Sequence, residues 1–131
     1  MKNGTPFVGR LLLAAIFVTS GLGKLGPGFA QTQQYMQSVG MSATAFWLTL
    51  GIILELGGGV MLLLGLYART GAAMLILFLV PVTFIFHTDF SDQMQMIMFM
   101  KNVSMTGGLV LAAFYGPGGW TVDRLWRRAQ L

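Results

Sequence analysis

Five polar side chains could do chemistry in a chain otherwise poor in charge: Lys24, Glu55, His87, Lys101 and Asn102. Lysine and asparagine donate hydrogen bonds to ligand oxygens, and glutamate accepts them or exchanges a proton. Histidine titrates near neutrality, with an unperturbed pKa of about 6.5. One histidine and one glutamate are too few ligands for a metal centre. The expected chemistry is therefore hydrogen bonding, charge stabilisation and proton relay. No catalytic residue is assigned, and the sequence does not decide whether the chain is an enzyme.

The surroundings give these residues their meaning. Of 131 residues, 55% are hydrophobic and 9% charged, against about 25% charged in ordinary soluble domains. Mean hydropathy is +0.71, an apolar surplus that calls for a lipid solvent. Residues 25–54, 70–86 and 102–122 carry no formal charge. A helix needs about 20 mainly apolar residues to cross a hydrocarbon layer of about 30 Å. The expected fold is all-α: one domain, 1–131, forming an integral membrane four-helix bundle with spans near residues 8–25, 44–66, 70–87 and 94–115. Pro81 falls inside the third span, where a membrane helix tolerates it as a kink.

Charge sets the expected orientation. Lys2, Arg10, Arg69, Arg124, Arg127 and Arg128 fall on one side of four spans, and Asp89 and Asp92 on the other. The positive-inside rule makes the basic side, with both termini, cytoplasmic. The pI near 10.0 then reflects basic membrane flanks. No aromatic-interleaved basic patch points to nucleic acid. The opening "MKNGTPFVGRLLLAAIFVTSG" has the basic start and apolar centre of a signal peptide. It reads better as an uncleaved first span, because cleavage would put the basic C-terminus outside. The chain has no cysteine, which excludes disulfide and thiol chemistry within it.

Between spans one and two, "GPGFAQTQQYMQSVGMSA" opens with turn chemistry. Phe29, Tyr35, Met36 and Val39 among glutamines fit a short amphipathic helix on the outer interface, and a plain polar loop fits equally. The ending "GPGGWTVDRLWRRAQL" places Trp120 and Trp126 beside arginines, as an interfacial anchor does. Met94, Met96, Met98 and Met100 alternate, so a helix spreads them around its circumference as lipid-facing or bundle filler.

With this topology Glu55 lies near the midplane. Lys24 and His87 stand at the outer ends of their spans, and Lys101 and Asn102 about a third of the way down. Glu55 shares a face with Gly51, Gly58 and Gly59, Lys24 with Ser20 and Gly21, His87 with Thr83, and Lys101 with Ser104 and Gly108. Small residues on these faces let helices approach closely. An unpaired charge at mid-membrane costs about 2.5–3.5 kcal/mol on insertion scales. Glu55 is therefore expected to pair with Lys101, leaving Lys24 to extend outwards. Two lysines against one glutamate leave a local charge of plus one, suited to an anion or to carbonyl or phenolate oxygens. The competing reading is a structural ion pair that fixes helix register, with no ligand.

"GLGKL", "ELGGG", "FHTDF" and "FMKN", with "TQQYM" and "GPGGWTVDRL", resemble the DoxX family of small four-helix bacterial inner-membrane proteins over nearly the whole chain. The resemblance implies a multi-pass protein of the bacterial inner membrane. It also implies a redox or detoxification setting, with Lys24, Glu55, His87, Lys101 and Asn102 as the matching polar positions. The sequence holds no flavin, haem or dinucleotide motif, so no cofactor is demonstrable and a quinone is the expected redox ligand. The leading expectation is a site for a quinone or a small aromatic or anionic ligand. The alternatives are a non-catalytic assembly subunit of a membrane redox complex and a small-molecule exporter. Expected partners are the bilayer, a membrane or peripheral redox protein, and further copies of the chain.

Overall fold

A computed structural model describes residues 2–130. Seven α-helices run in the order α1 (Gly4–Gly23), α2 (Pro27–Ser38), α3 (Thr44–Ile52), α4 (Gly58–Leu64), α5 (Ala68–Phe86), α6 (Gln93–Tyr115) and α7 (Val122–Ala129). A single π-helical turn, Ile53–Gly57, joins α3 to α4, so that Thr44–Leu64 forms one continuous span. Four helices are long and apolar enough to cross a membrane: Gly4–Gly23, Thr44–Leu64, Ala68–Phe86 and Gln93–Tyr115. Each lies within a few residues of its expected span. The first begins earliest against expectation, because Pro6 sits in the first turn, where its missing N–H costs no helical bond. With four spans, both termini lie at one end of the bundle, here the terminal end. The opposite end carries α2 and His87.

Each span buries one stripe. On α1 the buried residues are Arg10, Ala14, Phe17 and Gly21, spaced by four, three and four as one helical face requires. On α5 they include Gly71, Ala72, Leu75, Leu79 and Thr83. Outward faces are apolar instead: Leu12 and Phe114 are each 72% exposed. A soluble protein could not sustain that surface, and lipid can. In lipid, apolar burial no longer drives helices together, so packing depends on close approach through small residues. Gly58 and Gly71 provide it where α4 crosses α5. A Cβ on Gly58 would lie 2.8 Å from the Gly71 carbonyl oxygen, and a Cβ on Gly71 2.9 Å from that of Gly58.

Residues 27–38 form the amphipathic helix rather than the loop. Pro27 occupies its first turn, a position pre-organised by proline's fixed φ. Met36 packs with Leu48 and Ile52, with Phe29, Met41 and Phe86 around them. Tyr35 stacks on Phe86 with centroids 5.4 Å apart. The helix thus folds over the end of the second and third spans and roofs the space between them.

At the terminal end, Thr121 caps α7 by accepting from the Arg124 N–H at 3.1 Å. Trp120 and Trp126 are exposed beside its arginines, as an interfacial anchor requires. Asp92 caps α6 in the same way, accepting from the Met94 N–H at 3.0 Å.

Candidate functional site

Two local features bring polar groups into the far half of the bundle. The π turn carries Glu55, which is 2% exposed. Such turns insert an extra residue into a helix and recur at functional sites. The end of α1 supplies Lys24, the residue just beyond Gly23. Helical side chains lean towards their own N-terminus, so Lys24 folds back along α1 into the membrane. Its Nζ donates to Ser20 Oγ at 3.0 Å and to Glu55 Oε2 at 2.5 Å, and lies 5.3 Å from the centre of the Phe78 ring.

The expected pairing of Glu55 with Lys101 is therefore corrected: its partner is Lys24. Lys101 is exposed on the outer face of α6, and the next residue, Asn102, is buried. Neighbours on an α-helix point about 100° apart, so one narrow seam cannot receive both. Asn102 takes it, donating to Thr83 Oγ1 at 3.0 Å, while the Thr83 hydroxyl donates to the Leu79 carbonyl at 2.7 Å. The expected local charge of plus one falls with the pairing: Lys24 and Glu55 cancel.

Lys24, Glu55, His87 and Asn102 line one cavity of about 600 Å³ between the helices; Lys101 does not. Tyr35 and Met36 of α2 form its roof, and Trp47, Phe78, Leu54 and Met98 are among the apolar side chains of its wall. Lys24 Nζ has three donors, of which Ser20 and Glu55 take two. Glu55 Oε1 and the His87 ring have no hydrogen-bond partner among the described residues. No group of three or more His, Cys, Asp or Glu stands together there.

His87 lies one residue past the third span, and partial burial holds its imidazole below the usual histidine range. At pH 7 it is neutral, offering one donor and one acceptor. It is the only histidine in the chain, so its NMR titration is unambiguous. The midpoint should fall below about 6.5; a midpoint above that value would place a stabilising anion beside it. Because the unfolded chain takes up the proton first, His87 should lower stability as pH falls below that value.

The DoxX family model matches residues 5–88, spanning α1 to α5 with Lys24, Glu55 and His87. The chain belongs to the DoxX family. With four spans and relatives named as inner membrane proteins, this DoxX protein is a multi-pass protein of the inner membrane. It is 42% identical over 118 residues to inner membrane protein YqjF of Escherichia coli (strain K12), covering 90% of this chain and 88% of that protein. Inner membrane protein YphA of the same organism is 30% identical, with 89% and 86% covered. An uncharacterized membrane protein of Mycobacterium tuberculosis, Rv3486, is 28% identical, with 88% and 77% covered. No solved structure matches the chain with significance.

Sequence reading missed two parts of this DoxX protein's polar interior. The Thr83–Asn102 bond joins two spans, and the spacing of Thr83 to His87 was its only signal. At the terminal end Arg10 is buried at 4% exposure. Its guanidinium donates to the carbonyls of Pro117 and Trp120, each at 2.8 Å. The loop it clasps lies more than 100 residues away, beyond the reach of any local pattern.

Proposed function

We propose that this DoxX protein binds a neutral, ring-shaped ligand bearing carbonyl or hydroxyl oxygens, of the quinone or small-phenol class. The positive-inside rule puts its cavity in the outer half of the membrane, with both termini cytoplasmic. One observation carries the proposal: about 600 Å³ of largely apolar, aromatic-lined space with Lys24, Glu55, His87 and Asn102 among its few polar side chains. Ligand sites have this size and build, an apolar body with a few placed polar groups. Since Lys24 and Glu55 cancel, a neutral ligand fits better than an anion. The free Lys24 donor would reach a ligand carbonyl, Glu55 Oε1 would accept from a hydroxyl, and His87 would pass protons towards the outer surface. The chain supplies no redox centre of its own, so electrons would come from a partner.

Calorimetric titration of the purified protein with a short-chain quinone tests this. We expect one site, weakened about ten-fold or more by Lys24→Met or Glu55→Gln, since each removes a charge-assisted contact of about 1.5–3 kcal/mol. Lys101→Ala should leave it unchanged. Equal affinity in all three variants would overturn the assignment. The closed Lys24–Glu55 pair also favours a second reading, in which the pair serves only packing in an assembly subunit. That reading predicts no binding by the native protein.

A further inference from the structure

A second concavity, of about 700 Å³, opens at the terminal end between α1, the end of α4 and α7. Arg10, Arg124 and Arg128 line it, and no aspartate or glutamate does. The neighbouring carboxylate, Asp123, is turned to the Tyr67 N–H at 2.7 Å. Arg10 lies in its floor, 4% exposed, hydrogen-bonded only to main-chain carbonyls and 5.5 Å from the centre of the Phe7 ring. Its Nε is buried without any hydrogen bond, and no carboxylate stands against its charge. The remaining wall is apolar: Phe7, Leu11 and Leu64 line the same concavity.

We propose that this groove holds one anionic phospholipid of the adjoining leaflet, its phosphate between Arg124 and Arg128 and an acyl chain along Phe7, Leu11 and Leu64. Three guanidiniums with no lining carboxylate make the groove cationic, and arginine binds phosphate oxygens in a matching planar fork. Basic pockets at the membrane ends of helices take lipid headgroups on this principle. The apolar wall selects a lipid over a free anion. α7, with arginines beside exposed Leu125 and Trp126, lies where headgroups are. The site is separate from the far cavity and independent of its ligand.

Native mass spectrometry of delipidated protein, titrated in detergent with phosphatidylglycerol, phosphatidylethanolamine or inorganic phosphate, tests the proposal. One phosphatidylglycerol should bind per chain. At about 1 kcal/mol for each arginine, affinity should fall about five-fold in Arg128→Gln and about thirty-fold in Arg124→Gln/Arg128→Gln. Arg127→Gln, outside the lining, should change it less than two-fold. The Arg128 side chain makes no hydrogen bond among the described residues, so its variant remains informative if the double variant folds poorly. Undiminished binding in Arg128→Gln, or phosphatidylethanolamine binding as tightly, would overturn the proposal. Displacement of the lipid by inorganic phosphate at similar concentration would also overturn it, leaving only a free-anion site.

Discussion

Lys24→Met is expected to be the most damaging single change at the polar cavity. It strands the Glu55 carboxylate, 2% exposed, without its counter-charge. Breaking one side of a buried pair costs about 3–5 kcal/mol, because the remaining charge keeps its desolvation penalty. Lys24 is itself 22% exposed, so the loss belongs at the lower end of that range. Glu55→Gln should cost less, because the freed lysine can extend to the membrane surface. Lys24→Met/Glu55→Leu should recover most of the stability, since an apolar pair of similar volume replaces two desolvated ions. Thermal or denaturant unfolding in detergent measures all three. Equal losses in both single variants, with no recovery in the double, would mean the pair is not the interaction at stake.

The second large effect is expected at the α4–α5 crossing. Gly58→Val would drive a side chain against the Gly71 carbonyl oxygen, 2.8 Å from the new Cβ, and against Leu75 Cγ at 3.0 Å. A backbone carbonyl cannot swing aside as a side-chain tip can, so the helices must separate. Overpacking of this kind costs about 1–3 kcal/mol or more, and the span beside Glu55 would move with it. Gly107 on α6 is the control, since a Cβ there meets nothing within 4 Å. Gly107→Ala should be neutral or raise stability by up to about 1 kcal/mol through helix propensity. Similar losses at both positions would show that close approach between Gly58 and Gly71 does not decide the crossing.

The architecture was readable because lipid imposes long apolar runs and charge punctuates them. Asp89, Asp92 and the arginines marked where spans end, and the helices follow those marks. Four of the five polar candidates stand at one cavity for the same reason: depth follows from residue count along a span. Rotation about each helix was harder to read. Lys101 and Asn102 are adjacent, and no pattern in "FMKN" says which of them faces inward. The π turn at Ile53–Gly57 was hidden as well, because an extra residue in a turn leaves no trace in composition. Lys24 looked like an outward residue because it stands at the end of α1. The backward lean of helical side chains turned it towards Glu55. The alternatives for residues 27–38 were separated only by Met36 and Phe29 finding Leu48 and Ile52 beneath them.

Whether the far cavity holds a ring is tested most directly through Trp47, which lines it. The chain has three tryptophans, so Trp120→Phe/Trp126→Phe leaves Trp47 as the sole reporter. Titration with a short-chain quinone should quench its fluorescence to a saturating limit, and Lys24→Met should move that curve to higher concentration. Linear quenching without saturation, matched by a variant that keeps only Trp126, would contradict a bound ligand and leave the polar cluster as packing alone.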